Sequence, residues 1–280
     1  MERPSAMKAA GTARLTILWI AVAIGVLPLV WTVGTAFKTD AAVTAGIWSL
    51  PLQPTLANFA EVAKSNFSMG LLVSLAITTG AVLVLLALAA LAGYAFAHFN
   101  FIGKKCLWIT LMAGLFLPIH ATLIPLYRIE ADLAISRSWL SLVFLAAVYV
   151  AFNLSFSVFY LRGFFAQVPS ELVEAAAIDG CGSLGVFTRI MLPLSVPALV
   201  VVALVDIVMI WNEFVFALVL IRSTKLATLP LAVRNFADET GLAIPQTCAA
   251  LTLAALPVII VFLIAQRKII SGLTEGAVRG

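Results

Sequence analysis

Residues able to do covalent or metal chemistry are few in this 280-residue chain, and they are scattered. There are two histidines, His98 and His120, and three cysteines, Cys106, Cys181 and Cys248. No C-x-x-C pair, H-E-x-x-H run or Cys/His cluster occurs, so zinc and disulfide chemistry lack a ligand set. No Ser/His/Asp set or carboxylate dyad stands out, and no catalytic or metal-binding residue is assigned. A phosphate-gripping loop needs G-x-x-x-x-G-K-[ST]. The nearest candidate, Gly103-Lys104, has His98 where the first Gly belongs and Lys105 where Ser or Thr belongs.

The polar groups that remain sit inside long apolar runs. Asn153, Ser155 and Ser157 form one patch, and Asp206, Asn212 and Glu213 another. Asp206 and Glu213 are about two helical turns apart, which puts both on one face of a continuous helix. A lone charge in lipid costs a few kcal/mol or more, so both carboxylates must face protein or water. Two readings stay open for Asn153, Asp206, Asn212 and Glu213: they line a pore for a hydroxyl-rich substrate, or they bond to neighbouring helices.

The elements that must position these groups follow from composition. Hydrophobic residues make up 63% of the chain and charged ones 11%, and the mean hydropathy is +1.12. A soluble domain carries about 25% charged residues, so much of this apolar surface must face lipid. A hydrocarbon core of about 30 Å takes roughly 20 apolar residues per helix. Six stretches qualify, at about 15–37, 70–96, 107–126, 139–161, 196–221 and 247–266. They lack the alternation of barrel strands, so helices are expected. The expected fold class is all-α: one polytopic membrane domain over residues 1–280 with about six transmembrane helices. Pro28, Pro118, Pro125 and Pro257 fall inside these spans and are expected to kink them. The net charge of +4 comes from Lys and Arg in the short gaps, a pattern of membrane topology rather than nucleic-acid binding. With six spans, the termini and two of the loops share a side and carry ten Lys and Arg against seven opposite, which favours cytoplasmic termini.

The most patterned polar segment is the loop at about 164–197. Pro169 and Ser170 start a short helix, Glu171 complements its dipole, and Gly180 stops it with a left-handed cap. A second short helix is expected from Ser183, with Leu184, Phe187 and Ile190 on one stripe, ending before Leu192-Pro193. Small alanines leave the first helix narrow enough to enter a groove on another protein, with Glu174 and Asp179 at its flanks. A surface hairpin lying along the bilayer fits the same spacing.

The run Glu174-Ala175-Ala176, then Asp179-Gly180, then Ile190-Met191-Leu192-Pro193 resembles the "EAA" coupling loop of ABC importer permeases. Cys181 stands where alanine is usual. Three further segments resemble the carbohydrate-importer branch: Pro54-Thr55-Leu56-Ala57-Asn58-Phe59, Ala92-Gly93-Tyr94-Ala95-Phe96-Ala97, and Trp211-Asn212-Glu213-Phe214. The end Gly272-Leu273-Thr274-Glu275-Gly276-Ala277-Val278-Arg279-Gly280 resembles the tail of the maltose-type subunit, with Arg for the usual Lys at 279.

The resemblance implies a bacterial inner-membrane subunit that forms half of a pathway for a carbohydrate or polyol. It implies as partners a second permease subunit, two ATPase subunits that bind the ATP and Mg, an extracytoplasmic substrate-binding protein, and membrane lipid, with no nucleic acid. This chain would itself hold no cofactor and hydrolyse no ATP. Glu171, Glu174, Ala175, Ala176, Asp179 and Gly180 would meet an ATPase, and the cytoplasmic tail at 267–280 would reach between the ATPases through Gly272, Thr274, Gly276 and Arg279. The alternative is a stand-alone secondary transporter or channel. That would call for paired halves with interrupted helices, where the sequence has one unpaired elbow.

Overall fold

The computed structural model describes the backbone of residues 3–136, 138–241 and 243–277, and side chains within 14–266 apart from positions 137, 177 and 242. Among the described residues every regular element is helical. In chain order these are α1 (Arg3–Ala36), α2 (Asp40–Ala45), α3 (Ala57–Lys64), α4 (Phe67–His98), α5 (Lys104–Ala113), α6 (Leu123–Asp132), α7 (Leu140–Phe165), α8 (Ser170–Ile178), α9 (Ser183–Val186), α10 (Leu192–Leu194), α11 (Val196–Trp211), α12 (Val215–Leu220), α13 (Leu229–Glu239) and α14 (Ile244–Ala277). Four helical stretches are long and apolar enough to cross a membrane: Arg14–Ala36, α4, α7 and Ile244–Gln266. Two bent pairs among the described residues, Lys104–Phe116 with Ile119–Asp132 and Ser183–Leu194 with α11, raise the count to as many as six if each pair is one span.

The expected span 107–126 is broken rather than kinked, with a bend of 98°. Pro118 has no N–H to donate and its ring pushes Leu117 out of the helical region, so both residues are extended. A 3₁₀ turn, Ile119–Thr122, then leads into α6. The expected span 196–221 is interrupted too. It stops at Trp211, and α12 starts afresh at Val215.

The chain forms two compact units, residues 1–67 with 233–255 and residues 68–232 with 256–280. In the first, Asn58 is buried and its side-chain amide donates to the carbonyls of Ala36 and Lys38, both at 2.8 Å. These are carbonyls that the end of α1 leaves without helical partners, so Asn58 acts as a remote cap. Lys38 is buried as well and spends its ammonium on the Ile47 carbonyl at 3.0 Å.

The second unit has two apolar clusters. One joins Val73, Ile77 and Ala81 of α4 to Leu145 and Tyr149 of α7, Ile210 of α11 and Phe216 and Leu220 of α12. The other joins Tyr94 and Phe96 of α4 to Leu161 and Phe165 of α7, and to Ala176, Val186, Phe187 and Met191 of the elbow. At Gly93, α4 and α7 come close. A Cβ there would lie 3.0 Å from the Arg162 amide nitrogen and 3.2 Å from Leu161 Cβ. Gly93→Ala should therefore destabilise the chain by about 1–3 kcal/mol. Gly80→Ala on the same helix, with open space around it, should not. Thermal unfolding of the two detergent-solubilised variants measures the difference.

Candidate functional site

The elbow is built as its residue types require. α8 begins at Ser170 with Glu171 in its first turn. It ends in a Schellman turn: Cys181 N–H donates to the Ala176 carbonyl at 2.9 Å, with Gly180 between them at φ +81°. Only glycine takes that left-handed position without a Cβ clash. Glu171, Glu174, Ala175, Asp179 and Gly180 are exposed, while Ala176 is buried on the opposite face. The outer face also carries an apolar residue, Ile178, at 86% exposure.

The second half of the elbow differs from expectation. After α9 the chain widens into a π turn, Phe187–Met191, and continues through Pro193 to Leu194. Leu192 N–H reaches back five residues to the Phe187 carbonyl. The wide turn sits where the ring of Pro193 would otherwise press on the carbonyl four residues earlier. The buried face of this half is Val186, Phe187 and Met191, while Leu184, in α9 ahead of the π turn, is exposed rather than on a buried stripe. Ser195 then ends the segment, and α11 leaves at 73° with Pro197 in its first turn.

A ring cluster on the spans grips this elbow. Tyr94 of α4 lies 5.2 Å from Phe187, 5.2 Å from His98, 5.3 Å from Phe99 and 6.1 Å from Phe165, measured between ring centroids. Its hydroxyl donates to the Ser183 carbonyl at 3.4 Å. The His98 ring nitrogen Nε2 pairs with the Phe165 carbonyl at 3.2 Å. Val173 and Ala176 pack into the same cluster, so α8 is held by its inner face and offers its outer face. Sequence reasoning noted Tyr94 only as part of a motif and missed this grip. The available signal was an aromatic near the end of each of two spans and a third, Phe187, within the elbow.

The candidate pore residues form a second constellation. Asp206 on α11 is fully enclosed, and Oδ2 accepts from Ser157 Oγ of α7 at 2.9 Å. Ser157 is placed one turn from Asn153, whose carbonyl it also reaches at 3.1 Å. Asn153 is half-buried and donates to the Tyr149 carbonyl at 2.8 Å. Glu213 does not share a helix face with Asp206, because it lies in the break after Trp211. There it accepts from the backbone N–H of Phe216 at 2.7 Å and of Ala217 at 3.2 Å, which starts α12. The Tyr149 hydroxyl donates to the same carboxylate at 2.6 Å. Asn212 is exposed and caps the end of α11 through the Val208 carbonyl at 2.8 Å. In the C-terminal stretch, α14 continues as one helix to Ala277, through Gly272, Thr274 and Gly276. The side chains of these residues, and Arg279 altogether, lie outside the described residues.

Four long apolar helices and two sharply bent helix pairs define a polytopic membrane protein. Residues 87–274 match the family described as binding-protein-dependent transport system inner membrane component. The ORF2 product of Caldicellulosiruptor sp. is 39% identical over 91% of this chain and 92% of its own. The diacetylchitobiose uptake system permease protein DasC of Streptomyces coelicolor is 34% identical over 91% of this chain and 92% of its own. Among solved structures, a bacterial ABC transporter involved in the import of the acidic polysaccharide alginate has a chain of the same fold. Its TM-score is 0.81 over 95% of this chain and 98% of that one, at 20% identity. The chain belongs to the family of binding-protein-dependent transport system inner membrane components.

Removing the Tyr94 ring should loosen the elbow without touching its outer face. Tyr94→Ala should cost about 3–5 kcal/mol of local packing and raise hydrogen–deuterium exchange across residues 170–194. Tyr94→Phe keeps the ring, loses one long hydrogen bond, and should exchange like the unaltered chain.

Proposed function

We propose that this chain is one of two permease subunits of an ATP-driven carbohydrate importer, and that α8 is the lever through which ATPase partners move it. The observation that carries this reading is the division of α8 into two faces. Val173 and Ala176 are seated in the ring cluster, while Glu171, Glu174, Ala175, Ile178 and Asp179 face away from it. A nine-residue helix is marginal alone and follows whatever holds it. Seated on the ends of α4 and α7, α8 transmits a push on its outer face to the spans as a rigid displacement.

In this reading the ATPases supply both ATP binding and Mg, a substrate-binding protein delivers the cargo on the other side, and both termini and the elbow are cytoplasmic. Closure of the ATPase pair on ATP favours one arrangement of the spans over the other, as any ligand-driven equilibrium requires. Ala175 allows close approach to a partner groove, Glu171, Glu174 and Asp179 set the orientation, and Gly180 ends the rod. Ala176 supports the rod from behind. The tail beyond residue 267 lies between the ATPases, with Gly272, Thr274, Gly276 and Arg279 at that contact.

The carbohydrate class rests on the resemblance and on relatives such as the diacetylchitobiose permease. Of the four candidate pore residues, Asn212 is the one with an exposed amide to offer hydroxyl groups. Glu213 braces the helix break, Asp206 ties α11 to α7 through Ser157, and the Asn153 amide bonds within α7.

Glu174→Arg tests the lever. It reverses a charge on the outer face and leaves the seat intact. Import and transport-stimulated ATP hydrolysis in the reconstituted complex should fall more than about tenfold, since mispairing an interfacial charge costs about 2–5 kcal/mol. The amount of chain in the membrane should not change. Normal import by this variant would contradict the reading.

A further inference from the structure

A groove of about 880 Å³ opens beside the elbow, between the end of α4, the start of α5 and the last turns of α7. Three cations line it, Lys104, Lys105 and Arg162, and among the described residues no carboxylate does. Its wall is aromatic. The Arg162 guanidinium lies 4.3 Å from the centroid of the Trp108 ring, and Phe96 packs against Trp108 at 5.2 Å. Lys104 Nζ donates to the Phe99 carbonyl at 2.7 Å and so ties down the loop that forms the rim.

That rim is unusual for a surface in water. Phe99, Phe101 and Ile102 are all exposed, Ile102 completely. A fully exposed Ile102 and two partly exposed phenylalanines next to two lysines suit the boundary between acyl chains and headgroups, where apolar groups enter the lipid and cations stay at the surface. An aromatic-walled groove with three unopposed cations at that depth is complementary to a lipid with a negative headgroup.

We propose that this groove is a binding site for an anionic phospholipid of the cytoplasmic leaflet, its phosphate held by Lys104, Lys105 and Arg162 and its acyl chains lying along Trp108 and Ile109. The groove adjoins the elbow's seat, because Phe96 belongs to the same cluster as Tyr94 and Phe187. A bound lipid therefore braces the fulcrum of the lever. The choice of leaflet rests on the orientation proposed above; the charge and shape of the groove do not.

Cys106 lines the groove and is exposed, which provides a built-in probe. The full chain is reconstituted in vesicles of phosphatidylcholine, or of phosphatidylcholine with phosphatidylglycerol. Alkylation of Cys106 by the neutral reagent N-ethylmaleimide is then followed by peptide mass spectrometry. Phosphatidylglycerol should slow alkylation at least about fivefold, the effect of roughly one well-placed cation–lipid contact. The slowing should disappear in the Lys105→Gln/Arg162→Gln variant, in which any general effect of a charged bilayer persists. Inorganic phosphate with phosphatidylcholine should not protect. Equal rates in the two vesicles, slowing that survives in the double variant, or protection by inorganic phosphate alone would each overturn the lipid site and leave the proposed orientation standing. Protection of Cys106 in the assembled importer whatever the lipid would assign the groove to a protein partner instead and overturn the proposal. In intact cells a membrane-impermeant maleimide should leave Cys106 unlabelled. Its labelling from outside would overturn the leaflet, and the proposed orientation with it.

Discussion

Tyr94 sits at the junction on which the rest of the molecule's behaviour depends. Its ring touches residues from the end of α4, the end of α7 and the π turn of the elbow. Buried aromatic contacts of this kind are stiff, because displacing one ring opens a void that its neighbours cannot fill. The elbow is thus coupled to two spans by packing rather than by the peptide chain alone. A short helix on a flexible tether could bind a partner and move nothing. α8 is not on such a tether: Val173 and Ala176 share one apolar cluster with residues of α4 and α7.

Inside the bilayer a different constraint governs. Backbone and side-chain polar groups have no water to turn to, so each interruption of a helix must bring its own partners. The break after Trp211 follows that rule closely. Glu213 takes the first amides of α12 and the Tyr149 hydroxyl together, so one carboxylate both starts a helix and ties it to α7. Asp206 does the same work between α11 and α7 through Ser157. Bonds of this kind hold the interrupted helix in one defined arrangement against α7.

Much of this was legible in the sequence, and for identifiable reasons. Hydropathy marks where α1, α4, α7 and α14 cross, because burying some twenty residues in lipid leaves no alternative pattern. The helix α8 and its glycine stop were legible because start and stop signals are local: Ser170, Glu171 and Gly180 each act on backbone groups within a turn or two. Pro118 marked where its span would bend but not that the bend would reach 98°, and the break at Glu213 left no mark. An apolar run looks the same whether it is straight or folded back, and Glu213 reads as a residue within a helix until its partner Tyr149, far off in the chain, is in place. Leu184 faces out because the elbow packs through Val186, Phe187 and Met191, a choice set by the residues of α4 and α7 that receive them rather than by local spacing. The Tyr94 cluster was missed since it gathers residues from three separate elements, and no single window of sequence contains it.

The central claim is that the outer face of α8 meets an ATPase. Cross-linking from Ile178→Cys in the assembled transporter tests it most directly, since the Ile178 side chain on that face is 86% exposed. The account predicts a covalent adduct with an ATPase subunit whose yield changes when ATP binds. Adducts with phospholipid alone, or reaction of this cysteine with a reagent confined to the external medium, would contradict it.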